Sequence, residues 1–98
     1  MTPEEIHAQR EMDEDILSYV RGLQDTAPIC MESVHSFLHD VRRRRRVLAL
    51  QVQGRLSYLV SKGYLVAQDE WVAGEGQVTY YRITALGCDV LDRIKPWS

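Results

Sequence analysis

Between Val47 and Ile83 the hydrophobic period changes once, at Gly63, and that change leaves few folds open. Before it, Leu48, Val52, Leu56 and Leu59 recur at steps of four, four and three, the spacing of one helical face. Gly63 stands where a left-handed C-terminal cap belongs, and Lys62 in the last turn suits the negative end of the helix dipole. After it come Tyr64-Leu65-Val66 and Val78-Thr79-Tyr80-Tyr81-Arg82-Ile83, on either side of a loop at Gly74-Glu75-Gly76. Short β-branched and aromatic runs around a glycine loop predict a hairpin. A helix therefore feeds directly into a two-stranded ribbon.

The chain of 98 residues holds one domain with a modest core, and its 45% apolar and 27% charged content is that of a folded protein. No apolar run approaches the roughly 20 residues of a bilayer span, and the N-terminus is acidic where a secretory signal would be basic. A cytoplasmic location with no membrane partner is expected. Cys30 and Cys88, two cysteines far apart, are expected as separate reduced thiols. A net charge of −2 argues mildly against a nucleic-acid partner, but the distribution argues for one. Arg42, Arg43, Arg44, Arg45 and Arg46 are consecutive, while Glu4, Glu5, Glu11, Asp13, Glu14 and Asp15 gather near the start. Local field, not total charge, decides attraction to a polyanion.

From the N-terminus, Thr2-Pro3-Glu4-Glu5 has the parts of a helix start, with Thr2 as cap, Pro3 first and Glu5 completing a capping box. A helical pattern continues through Ile6, Met12, Ile16, Leu17 and Val20 to Gly22, weakly apolar until Asp13, so residues 3–11 read as an extension. Turn residues and Pro28 break it, and Pro28-Ile29-Cys30 is a candidate third strand. Val34, Phe37, Leu38 and Val41 place a second helix. The turn into the third lies between Arg42 and Leu48, since the arginines contain no breaker. Thr84 caps a last helix held by Leu86, Val90, Leu91 and Ile94 and stopped by Pro96. The predicted class is α+β, mainly α: a winged helix-turn-helix with a three-helix core, a β-hairpin wing and a C-terminal helix. Residues 1–98 form a single domain, divided as 1–12 extension, 13–83 core and wing, and 84–98 C-terminal helix.

Two segments carry a family likeness. Leu56-Ser57-Tyr58-Leu59-Val60-Ser61-Lys62-Gly63-Tyr64-Leu65-Val66 resembles the end of the recognition helix and first wing strand of bacterial regulators of the PadR and MarR type. Tyr80-Tyr81-Arg82-Ile83-Thr84-Ala85-Leu86-Gly87 resembles the segment that closes their wing and opens their C-terminal helix. Element order extends the likeness over residues 13–94, and it implies a DNA-binding transcriptional regulator. Departing from the usual pattern, the wing tip is acidic, with Asp69, Glu70 and Glu75 around Trp71, and the arginine run is additional.

In this fold the third helix, here residues 48–62, lies in the major groove while neighbouring loops hold phosphates. With Leu48, Val52, Leu56 and Leu59 inward, the outward arc holds Leu50, Gly54, Ser57 and Ser61, flanked by Gln51, Gln53 and Tyr58. Small residues admit the groove, Gln51 and Gln53 match an adenine edge, and Ser57 and Tyr58 suit bases or phosphates. Arg42 to Arg46 would meet phosphates, unless they are a solvated helix end or bind the chain's own acids. Arg55, nearer the core edge, suits a salt bridge to the first helix as well as it suits DNA. His35 and His39 are spaced to hold a metal but are expected outward with no further ligands, so no metal or cofactor is predicted. Trp71 is either an exposed anchor for a protein partner or, as is commoner, folded back on the hairpin. Tyr81 with Ile83 is expected inside. No catalytic constellation is present, so an enzyme is not expected. The resulting expectation is a transcriptional regulator on double-stranded DNA, homodimeric through its N- and C-terminal helices, against the alternative of a protein-binding winged helix that makes no DNA contact.

Overall fold

A computed structural model describes residues 2–94, the side chain of Ile94 excepted. The predicted N-cap is in place: the Glu5 amide donates to Thr2 Oγ1 at 3.2 Å, and Pro3 takes the first turn. Helix α1 then runs unbroken over Pro3–Leu23. The shift from weak to strong apolar pattern is a change in burial within one helix. Ile6 is 46% exposed, whereas Met12, Ile16, Leu17 and Val20 enter the core.

The candidate third strand forms as β1, Ile29–Cys30. Helix α2, Met31–Ser36, continues into a wider π-type turn over Phe37–Val41. Val34 and Leu38 are fully buried, and the Phe37 ring stacks on Tyr19 with centroids 4.4 Å apart. Val41, expected on the same face, is 65% exposed. The wider turn advances each residue by a smaller angle, which carries Val41 off the apolar stripe.

Helix α3 spans Ala49–Ser61 and buries Val52, Leu56 and Leu59. Leu48, expected inside, is 65% exposed because it is the extended N-cap, outside the helical wheel. Val47 packs against the core instead. Gly63 adopts the left-handed conformation expected of it, with φ of 80°.

Strands β2, Leu65–Val72, and β3, Gly76–Ile83, form the wing, and the sheet order is β1-β3-β2, all antiparallel. Gly74 and Gly76, both with positive φ, turn the three-residue loop. Leu65, Ala67 and Asp69 face the same way as their partners Ile83, Tyr81 and Thr79. Tyr81 is buried and Ile83 packs on the core, as predicted. Trp71 is not folded back: it is 81% exposed.

Thr84 ties the wing to helix α4, Ala85–Ile94. Its hydroxyl donates toward the Gly63 and Tyr64 carbonyls, at 2.6 and 3.1 Å, and accepts from the Gly87 amide at 3.0 Å. Leu91 is fully buried, but Leu86, expected in the helix's apolar face, is 48% exposed at the rim over Gly63. The Ile94 side chain and Pro96 lie outside the described residues. Among the described residues, four helices and a three-stranded sheet in this order are a winged helix-turn-helix, an α+β fold dominated by helix. Both cysteines are free thiols, and no helix among the described residues is long and apolar enough to cross a membrane.

Candidate nucleic-acid interface

The arginine run is a folded turn between α2 and α3. Arg43 takes a left-handed φ of 57°, which turns the chain sharply between Arg42 and Arg44. The Arg44 amide donates to the Leu38 carbonyl at 2.9 Å, and the Val47 amide to the Arg44 carbonyl at 3.2 Å. His35 closes the turn: its Nε2 lies 2.9 Å from the Val47 carbonyl, so this imidazole is half-buried, not outward as expected. A carbonyl only accepts, so Nε2 carries the proton. His39 pairs with Asp40 at 2.8 Å, and no group of three or more His, Cys, Asp or Glu side chains among the described residues is placed to hold a metal.

This turn divides the five guanidinium groups. Arg42 Nε lies 3.3 Å from Asp15, with its guanidinium over the Phe37 ring, and Arg44 binds Asp15 at 2.9 Å and reaches Glu11 at 3.7 Å. Asp15 is only 8% exposed, so these two arginines neutralise a carboxylate that α1 has drawn into the core edge. Arg43, Arg45 and Arg46 are exposed and pair with no carboxylate among the described residues.

Helix α3 carries the other half of the surface. Arg55 turns back to α1, donating Nε to Asp13 Oδ1 at 2.9 Å and Nη2 to Oδ2 at 2.6 Å. Of its two expected partners it takes the first helix, and this bond to Asp13 raises its already high pKa. Its guanidinium also lies 4.4 Å from the Tyr58 ring centroid, and Lys62 Nζ is 5.8 Å from it. Tyr58 is thus the seat of a local cation pair that spacing did not predict, although Arg55 and Lys62 are three and four residues away on the same helix.

Gln51 is occupied differently from the expectation. Its Oε1 accepts the Leu48 amide at 2.8 Å, so its carboxamide closes the start of α3 and is tied to the helix's own backbone. Ser61 donates its hydroxyl to the Tyr58 carbonyl at 2.7 Å. Gln53, Gly54 and Ser57 are exposed, and no atom lies within 4 Å of where a Cβ on Gly54 would sit. On the wing side, Gln53 opens onto a cleft of about 600 Å³ whose lining includes Glu32, Glu75 and Tyr80. The surface is therefore polarised, basic at the start of α3 and acidic toward the wing.

A scan of protein-family models finds no match, and no curated protein matches in sequence. Solved structures do match. A PadR family transcription regulator from Clostridium difficile R20291 superposes with a TM-score of 0.67 at 20% identity, over 87% of this chain and 83% of its own. A transcriptional regulator from Clostridium thermocellum gives 0.66 at 19% identity, over 99% of this chain and 87% of its own. At such identities the likeness is one of fold, and this chain folds as those winged-helix regulators do.

Proposed function

We propose that the protein is a transcriptional regulator that binds double-stranded DNA, with helix α3 in the major groove and the arginine turn on phosphates. One observation carries the reading. Three exposed arginines, Arg43, Arg45 and Arg46, have no acidic partner among the described residues and stand at the start of a helix whose outer face is small and polar. Arg42 and Arg44 belong to the structural part of the turn, so the phosphate contacts reduce to three. Gln53, Gly54, Ser57 and Tyr58 are the groove-facing residues, with Gln51 and Ser61, both bonded to the helix's own backbone, at the two ends. The two solved regulators of the same fold agree with this reading.

A regulator of this kind works in the cytoplasm as a homodimer reading two half-sites. The first turns of α1 reach past the core with Ile6 exposed, and α4 has Leu86 at its rim, so these helices are the proposed contact. Exposed Trp71 beside acidic residues supports the competing protein-binding reading, but it gives no role to the three arginines.

The test is binding to mixed duplex DNA across a salt series. The wild type should bind at low salt, with a log–log slope of about −0.9 per phosphate contact. Arg43→Ala, Arg45→Ala and Arg46→Ala together should flatten that slope by roughly two to three contacts. No binding at low salt would favour the protein-binding reading.

A further inference from the structure

We infer that Leu50 is a specificity-determining residue that packs on the C5-methyl group of a thymine in the major groove. The inference rests on the DNA-binding reading and adds to it which base feature the first turn of α3 recognises. Leu50 is 77% exposed in that first turn. A lone exposed leucine needs no explanation, but three independent features surround this one.

First, Leu50 shares its stripe with Gly54, Ser57 and Ser61, so it is the only large side chain on the outward line of the helix. The stripe beyond it is flat, with open space over Gly54 and the Ser61 hydroxyl turned back to its own backbone. A helix lying on that line approaches the groove closely, and Leu50 projects from it. Second, the neighbouring polar candidate is tethered, because the Gln51 carboxamide oxygen is held by the Leu48 amide at the helix start. The first turn, which reaches base edges in helix-turn-helix docking, thus projects an apolar group beside a carboxamide tied to its own backbone. Third, Arg43, Arg45 and Arg46, without acidic partners among the described residues, lie just before it in the chain. An apolar group next to that much positive charge suits a polyanion that displays a methyl group better than an apolar protein surface. The only apolar group that B-DNA displays in the major groove is the thymine methyl.

The experiment selects preferred duplexes from a random pool with the full chain, then replaces each thymine of the selected site in turn by deoxyuridine. That change removes the methyl and keeps all hydrogen-bonding groups. At one thymine per half-site the wild type should lose about three- to five-fold in affinity, the worth of one buried methyl group. Leu50→Ala should bind the thymine site that much more weakly and be indifferent to the replacement. An unchanged preference in Leu50→Ala, or a wild type indifferent to deoxyuridine everywhere, overturns the assignment while leaving DNA binding intact. Failure to bind any duplex at low salt overturns both readings. Sedimentation of wild type and Leu50→Ala supplies the remaining outcome: a change in oligomeric state would make Leu50 an interface between copies, against the inference.

Discussion

Gly87 shows how tightly one residue can be specified. A Cβ there would lie 2.2 Å from the Tyr64 carbonyl oxygen and 2.7 Å from Ile83 Cγ1. The first neighbour is backbone already held by Thr84, so it has nowhere to retreat. Gly87→Ala should therefore separate α4 from the wing and cost at least about 1–3 kcal/mol, as overpacking does. For a chain of this size that lowers Tm by roughly 5–20 °C in a thermal melt. An unchanged Tm would mean that the contact between α4 and the wing is looser than this packing implies. The same packing explains why glycine follows Thr84 at this interval: the threonine binds the carbonyl, and only a residue without a side chain clears it. Arg43 is the opposite case, a non-glycine residue held at positive φ. It bends the chain between Arg42 and Arg44, which both face Asp15.

Among the elements, β3 is the middle strand, and its centre is Tyr81, opposite Ile29 on one side and Ala67 on the other. Burial raises the Tyr81 pKa above the usual value near 10, and the negative charges of Asp69, Cys30 and Glu32 push it further up. A group that holds its proton more tightly when folded stabilises the fold fully below its unfolded pKa and loses that contribution as pH rises through the folded one. Stability should thus fall as pH climbs above about 10, and Tyr81→Phe should fall less steeply in melts across that range. Parallel curves would place the alkaline loss elsewhere. The strand pattern made Tyr81 legible from alternation alone, as helical period made Val52, Leu56 and Leu59 legible. Leu48 and Val41 were misread for a common reason: each sits where the helix changes geometry, at an extended cap or a widened turn, and a fixed angle per residue fails there. The division of the arginine run was not legible at all. It depends on which residues of α1 lie across from the turn, and Asp13 and Asp15 meet Arg55 and Arg44 from 42 and 29 positions away. The tether of Gln51 to the Leu48 amide was not legible either, because the sequence shows a carboxamide's chemistry but not what its oxygen meets.

Over the whole molecule, charge is sorted into two ends. Glu11, Asp13 and Asp15 on α1 are matched by Arg42, Arg44 and Arg55, which leaves Arg43, Arg45 and Arg46 as a basic end and the wing as an acidic one. A net charge of −2 hides this arrangement. In a docked winged helix the wing flanks the backbone, so phosphates near Glu70 and Glu75 meet charge of their own sign. Asp69 is already engaged, accepting from Thr79 Oγ1 at 2.5 Å, which leaves Glu70 and Glu75 as the residues to change. Glu70→Gln with Glu75→Gln should tighten duplex binding a few-fold at low ionic strength. The gain should vanish near 1 M salt, where the screening length drops to about 3 Å. It should also be uniform across duplex sequences, because backbone repulsion carries no base information. Affinity unchanged at every salt would put the wing tip away from the DNA, leaving Trp71 and its acids as a surface for something else.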